Sequence, residues 1–114
     1  MIKKLYFNFI NSINGLKVAC KEHSFIIEIL GGIILIPYLI FLELNILFKL
    51  LIIFTYLLLL AFEIVNTAIE KLCDKITKEI DSDIKKIKDL ASASVFVVLT
   101  ALMVLIIFTF FLSS

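Results

Sequence analysis

The stretch ILFKLLIIFTYLLLLAFEIVNTAIE, residues 46–70, decides the fold of this chain. Its only charged or amide side chains are Lys49 near the start and Glu63, Asn66 and Glu70 near the end. As a helix it extends about 37 Å at 1.5 Å per residue, which is enough to cross a hydrocarbon core about 30 Å thick. The stretch therefore predicts a membrane-spanning helix that carries polar groups at one end.

Two more apolar stretches flank this one. Residues 25–42 are interrupted by Glu28 and Pro37, and residues 90–112 contain no charged side chain. The whole chain of 114 residues is 62% hydrophobic, whereas a soluble domain is about 45–50% apolar. Only helices and closed barrels span lipid, and long apolar runs without alternation do not make a barrel. We therefore predict one all-α membrane domain over residues 1–114, with three transmembrane helices.

The connections carry the information on topology. Residues 43–45 join the first two spans, and residues 71–89 join the second and third with six lysines and five acids. We expect 71–89 to extend the second helix, turn near residues 80–82 and continue into the third. Lysines concentrate in 71–89 and near the N-terminus, so the positive-inside rule predicts that both are cytoplasmic. The net charge of +1 gives no reason to expect a nucleic-acid partner.

Residues 3–20 form a separate amphipathic pattern. Its apolar residues recur at intervals of three or four: Leu5, Phe9, Ile13 and Leu16. This spacing predicts a helix lying on the membrane surface. A simple anchor explains the pattern as well as a catalytic role does.

The polar residues of the second span are the candidate site. Glu63, Asn66 and Glu70 fall within about 100° of one another on a helix. Ionisable residues inside a span are functional hypotheses by default, although interhelical hydrogen bonding is the alternative. A partly desolvated Glu63 suits a general base, and Glu70 with Glu22 suits Mg²⁺, which takes oxygen ligands and nucleotide phosphates.

Charged residues near the other two spans are further candidates. Glu28 lies just inside the first span, where a snorkelling side chain is the alternative. Lys88 and Asp89 immediately precede the third span, and either contact ATP phosphates or form an interfacial pair. The chain has no glycine-rich phosphate loop, so a nucleotide site must be built from side chains at the interface.

Three segments resemble the prokaryotic diacylglycerol kinase family. EIVNTAIE at residues 63–70 resembles the family signature, and KDLASASV at 88–95 resembles its second block. GLK at 15–17 and the spacing of Glu22, Phe25 and Glu28 are similar to its N-terminal block. In all, the resemblance covers residues 4–112.

The resemblance implies a homotrimeric enzyme of the bacterial inner membrane that transfers the γ-phosphoryl group of MgATP to a lipid alcohol. It implies Glu63 as the general base and Glu22 and Glu70 as metal ligands. The residues it implies for ATP are Lys4, Asn11, Glu22, Glu70, Glu79, Asp81, Lys88 and Asp89. Those it implies for the lipid substrate are Glu28, Glu63, Asn66 and Ser92.

The identity of the lipid substrate, and the class of function itself, each have alternatives. Residues 64–65 and 91–94 look closer to the diacylglycerol branch of the family, so we expect diacylglycerol, with undecaprenol as the alternative. A small proton-coupled transporter is a rival from another class, and so is a non-catalytic membrane subunit. Three spans, carboxylates clustered at one boundary and a charged second connection argue against transport. The shared face of Glu63, Asn66 and Glu70 is unexplained in a non-catalytic subunit.

Overall fold

The computed structural model describes residues 1–113 and consists there of four helices. The helices are α1 (Ile2–Ala19), α2 (His23–Phe41), α3 (Ile46–Ile76) and α4 (Ser82–Ser113). In the described chain, α2, α3 and α4 have the length and apolar composition needed to cross a membrane. The prediction of an all-helical protein with three such helices is confirmed, whereas the amphipathic role of α1 stays a prediction.

Helices α3 and α4 form the main packing interface. A five-residue connection, 77–81, reverses the chain between them, so the two helices are antiparallel. Ile52 and Leu59 of α3 pack with Leu102 of α4 and with Leu42, which follows α2. This core lies within the apolar part of the bundle and leaves the polar end of α3 for other contacts.

Helix α2 is attached to both of the other long helices by tyrosine hydroxyls. The Tyr38 hydroxyl lies 2.9 Å from the hydroxyl of Thr109 on α4, a side chain with no exposed surface. The Tyr56 hydroxyl of α3 donates to the backbone carbonyl of Glu28, at 2.9 Å. Lipid gives little hydrophobic drive for helices to associate, so such hydrogen bonds and close packing orient α2.

Local capping explains where α3 and α4 begin. The Asn45 side chain accepts a hydrogen bond from the backbone N–H of Leu47, at 3.0 Å. Asp81 accepts from the N–H groups of Asp83 and Ile84, at 2.9 and 3.1 Å. Both are N-caps, which satisfy donors that a first helical turn leaves without partners. Helix α3 extends beyond its apolar part as expected, and the connection starts at Thr77, slightly before the turn predicted at residues 80–82.

Candidate active site

The polar stripe of α3, formed by Glu63, Asn66 and Thr67, is buried within the protein. Glu63 is 6%, Asn66 7% and Thr67 9% exposed. Phe62 and Val65, on other faces of the same helix, are exposed. The helical period separates these two sets of side chains, so the polar groups are shielded from lipid, where they would be most costly.

Two carboxyl groups from different helices meet in this stripe. Glu28 of α2 lies within hydrogen-bonding reach of Glu63 of α3. Because a carboxylate has no donor, a hydrogen bond between them requires a proton on one of the two. The sequence placed both residues inside apolar spans, and the structure brings them together as an acid pair.

Two buried oxygen atoms of this region have spare acceptor capacity. Within residues 1–113, and apart from the approach of Glu28 to Glu63, no hydrogen-bond partner is present for Glu28 Oε2 or Asn66 Oδ1. The amide group of Asn66 is fixed from its other side, since its Nδ2 donates to Glu70 Oε1 at 3.1 Å. Buried acceptors normally find a partner, so these atoms mark where a donor such as a hydroxyl group would fit.

A charged rim follows one to two turns beyond the acid pair. Glu22, the N-cap position of α2, forms an ion pair with Lys71 of α3 at 2.9 Å. Lys71 also lies in the electrostatic field of Glu70 and Asp74. Lys71 therefore pairs with Glu22, while Glu70, its neighbour in sequence, accepts a hydrogen bond from Asn66.

These two carboxylates suit a magnesium ion that is also bound to the phosphates of a nucleotide, and do not suit a bare ion. The described residues contain no cluster of three or more His, Cys, Asp or Glu side chains that would hold a metal ion by themselves. Mg²⁺ commonly takes one or two carboxylates together with substrate phosphates and water. Glu22 and Glu70 match that demand in number and charge; Lys71 pairs with one oxygen of Glu22, and Asn66 donates to one oxygen of Glu70.

The predicted nucleotide contacts Lys88 and Asp89 have partners within the protein. Lys88 of α4 binds Asp74 of α3 at 2.7 Å, and Asp89 binds Lys85 one turn earlier, also at 2.7 Å. Lys88 and Asp74 lie beyond the apolar parts of their helices. The hydrogen bond and charge of Lys88 hold the pKa of the Asp74 carboxyl below its usual range.

Asp81 and Glu79 lie in the connection between α3 and α4. The Asp81 carboxylate caps α4, as described above. The backbone N–H of Glu79 donates to the hydroxyl of Thr77 at 3.0 Å. Asp81 therefore has a structural role that the sequence analysis missed, although an aspartate directly before a helix is a recognised capping signal.

The remaining predicted residues lie on α1 (Lys4 and Asn11) and on α4 (Ser92). The C-terminal part of α1 faces α3 across a cavity of about 240 Å³ lined in part by Gly15, Ala19 and Thr67. Measured from Gly15 along the axis of α1 at 1.5 Å per residue, Asn11 is about 6 Å and Lys4 about 16 Å nearer the N-terminus. Ser92 is exposed and directly follows the buried Ala91.

Sequence reasoning missed two residues of this region, Tyr56 and Lys71, whereas it placed Thr67 on the same helical face as Glu63, Asn66 and Glu70. Tyr56, Glu63 and Glu70 are spaced by seven residues, which is two helical turns and returns to one face. That spacing would have connected Tyr56 to the stripe. For Lys71 the available signal was weaker, a lysine adjoining Glu70 at the end of a span.

The comparison with known proteins identifies a family match that covers almost the whole chain. The family model described as Prokaryotic diacylglycerol kinase matches residues 10–111, so the match contains α2, α3, all but the last two residues of α4, and every candidate residue except Lys4. No curated protein matches the chain. With a family match over nearly its whole length and three helices able to cross a membrane, the chain belongs to the prokaryotic diacylglycerol kinase family of multi-pass membrane lipid kinases.

Proposed function

We propose that the chain phosphorylates diacylglycerol with ATP and so forms phosphatidic acid at the cytoplasmic face of the bacterial inner membrane. The observation that supports this most directly is the arrangement of polar groups along α3. A buried acid pair with two spare acceptor oxygens adjoins a charged rim at the end of the apolar span. A lipid alcohol reaches the first group from the membrane, and ATP reaches the second from water.

In this proposal Glu63 is the general base. It takes the proton from the lipid hydroxyl while the oxygen of that hydroxyl forms a bond to the γ-phosphorus and the bond to ADP breaks. Glu28 holds the proton that the acid pair shares, which leaves Glu63 free to accept another. Asn66 Oδ1 and Glu28 Oε2, the buried acceptors without partners, flank the incoming hydroxyl, whose single proton goes to Glu63.

The rim binds the phosphates of ATP. Glu22 and Glu70 hold Mg²⁺, which when bound neutralises charge on the transferring phosphoryl group. Lys88, which is held in an ion pair by Asp74, contacts the phosphates, Asp89 contacts the nucleotide, and Ser92 lies beside the lipid. The outer nucleotide contacts are assigned to Lys4, Asn11, Glu79 and Asp81, of which Asp81 acts through the start of α4 that it caps.

A homotrimer is the assembly we propose. Glu70 is exposed at the rim of a single chain, although its neighbour Asn66 is buried. A site between subunits would close this open side and would combine polar groups that one small chain supplies only sparsely. Helix α1, whose Leu5 and Phe9 side chains are 61% and 65% exposed, would lie on the membrane surface.

The test uses purified protein in liposomes with γ-labelled ATP, and offers diacylglycerol and undecaprenol in parallel. Faster labelling of phosphatidic acid than of undecaprenyl phosphate supports the proposal. Label mainly in undecaprenyl phosphate would mean that undecaprenol is the lipid acceptor. The proposed roles of the residues would stay the same. Label in neither lipid, with protein that is folded in detergent, would overturn the proposed reaction.

A further inference from the structure

Tyr56 links α3 to the turn of α2 that carries Glu28. It lies seven residues before Glu63, about 10 Å along the helix and on the same face. Its hydroxyl donates to the backbone carbonyl of Glu28 at 2.9 Å. The side chain of Glu28 reaches Glu63 from that same residue, so a single residue of α2 contacts α3 through both its backbone and its carboxyl group.

Gly32 makes this contact possible. It is buried one turn after Glu28, and a Cβ added there would overlap the hydroxyl oxygen and ring carbons of Tyr56. A Cβ added at the neighbouring Gly31 would meet no atom within 4 Å. The tyrosine ring therefore occupies space that only glycine leaves open, and the contact depends on one specific position of α2.

The contact matters because α2 has few other ties to α3. Helix α3 packs far more extensively on α4 than on α2. In a membrane, helix association depends on close packing and interhelical hydrogen bonds, since lipid is as apolar as the side chains. Without the Tyr56 bond, the turn that bears Glu28 would have a less defined position relative to α3.

We infer that Tyr56 is a positioning residue, whose hydroxyl holds the backbone of Glu28 against α3 and so keeps the Glu28 carboxyl beside Glu63. This inference rests on the proposed function, in which that acid pair receives the lipid hydroxyl. Tyr56 itself touches neither substrate in this scheme. Its loss should therefore affect the lipid side of the reaction and leave the nucleotide side unchanged.

The first variant is Tyr56→Phe, which removes only the hydroxyl. We expect kcat/KM for diacylglycerol to fall roughly three- to tenfold, the range that one net hydrogen bond spans, while KM for ATP changes less than about twofold. The matched control is Tyr38→Phe, which removes the other interhelical tyrosine bond of α2, to Thr109. It should lower thermal stability in detergent and leave kcat/KM for diacylglycerol unchanged.

The second pair of variants tests the same contact from α2. Gly32→Ala should lower kcat/KM for diacylglycerol at least as much as Tyr56→Phe does, because the added methyl displaces the tyrosine ring. Gly31→Ala adds the same methyl group one residue earlier, into open space, and should retain wild-type kinetics. Circular dichroism and size exclusion in detergent establish that each variant is folded before its kinetics are compared.

The outcomes separate this inference from the proposal on which it rests. If Tyr56→Phe and Tyr38→Phe reduce kcat/KM equally, or if Tyr56→Phe raises KM for ATP as much as it impairs use of the lipid, Tyr56 only supports the fold and the inference is wrong. If the wild-type protein phosphorylates neither lipid, the proposed function itself fails, before any variant is compared. A selective loss in Tyr56→Phe, reproduced by Gly32→Ala, supports the positioning role.

Discussion

At the scale of single residues, the proposed chemistry centres on Glu63, a carboxyl group inside an apolar span, where ionisable side chains are rare. An isolated charge inside a span costs several kcal/mol, by order of magnitude. The structure shields Glu63 from lipid and places it beside Glu28, with which it can share a proton instead of carrying an isolated charge. Interhelical hydrogen bonding alone would explain the pair, but it would not require buried oxygens that lack partners.

Replacing Glu63 tests whether the pair is chemical or structural. Glu63→Gln keeps the shape and the capacity for a hydrogen bond to Glu28, but it removes the base. We expect the rate of lipid phosphorylation to fall by about 10²- to 10⁴-fold, as measured with γ-labelled ATP in liposomes.

The control for this variant is Glu43→Gln, an exposed carboxylate in the connection between α2 and α3. It should keep the wild-type rate. Wild-type turnover in Glu63→Gln would show that Glu63 is not the base and would favour the purely structural reading of the pair.

At the scale of secondary-structure elements, α3 combines two kinds of helix in 31 residues. Its first part is apolar and crosses the membrane, and its last part is charged and continues to Ile76. The charged part is attached to α4 by the ion pair of Asp74 with Lys88. The site lies where these two parts meet, so the caps and ion pairs that set the ends of α3 and α4 also set the geometry of the rim.

The cap of α4 gives a prediction of stability. Asp81→Ala removes the acceptor of two backbone N–H groups and should destabilise the protein by about 1 kcal/mol. Asp81→Asn retains a capping oxygen and should stay close to the wild type in thermal unfolding in detergent. If the alanine variant unfolds at the wild-type temperature, the cap contributes nothing to stability.

The same pair of variants separates capping from nucleotide binding. If the Asp81 charge contacts ATP directly, Asp81→Asn should raise KM for ATP although the fold is unchanged. If Asp81 acts only through the cap, Asp81→Asn should bind ATP as the wild type does.

The Asp74–Lys88 pair gives a prediction of pH dependence. Lys88 lowers the pKa of Asp74 in the folded protein. The pair therefore stabilises the fold fully above the ordinary aspartate pKa of about 3.9, and this stabilisation is lost as the pH falls through the lower folded value. Asp74→Asn should unfold at a lower temperature than the wild type at pH 7, and the difference should disappear in strong acid.

Salt provides the control for this prediction, because Asp74 is exposed and Lys88 partly exposed, and salt screens ion pairs that water reaches. The difference in unfolding temperature between the wild type and Asp74→Asn at pH 7 should become smaller in high salt. A gap that persists unchanged in strong acid would mean that the carboxylate charge is not its cause.

At the scale of the whole molecule, three crossings would place the connection 77–81 and the N-terminal helix on one side of the membrane. The structure also supplies two contrasting thiols, the exposed Cys20 beside α1 and the buried Cys73 in α3. Because Cys20 lies at the junction of α1 and α2, its accessibility reports directly on the side that we propose to be cytoplasmic.

Labelling these thiols tests the orientation. A membrane-impermeant maleimide should label Cys20 in inside-out vesicles and leave it unlabelled in intact cells, while Cys73 should react only after denaturation. A new thiol at Glu43→Cys, in the connection 43–45, should show the opposite sidedness, and Cys20→Ser should abolish the first signal. Labelling of Cys20 from outside intact cells would reverse the proposed topology.

The sequence by itself determined the fold class, the number of spans and the family, because each depends on local properties. Apolar length predicts a span, and the spacing of Glu63, Asn66 and Glu70 predicts a shared helical face. Motif spacing carried the resemblance, which the family match over residues 10–111 confirmed. The roles of the individual site residues, the metal and the trimer stay predictions.

Only the tertiary structure decided which polar groups meet. The pairing of Glu28 with Glu63 joins residues 35 positions apart, from the numbers of the two residues. The bond from Tyr56 to the Glu28 backbone, and its dependence on Gly32, require two helices to approach at one particular turn. Helical periodicity defines the face of one helix, but the rotation and depth at which a second helix packs against it follow from side-chain packing and from hydrogen bonds between the helices.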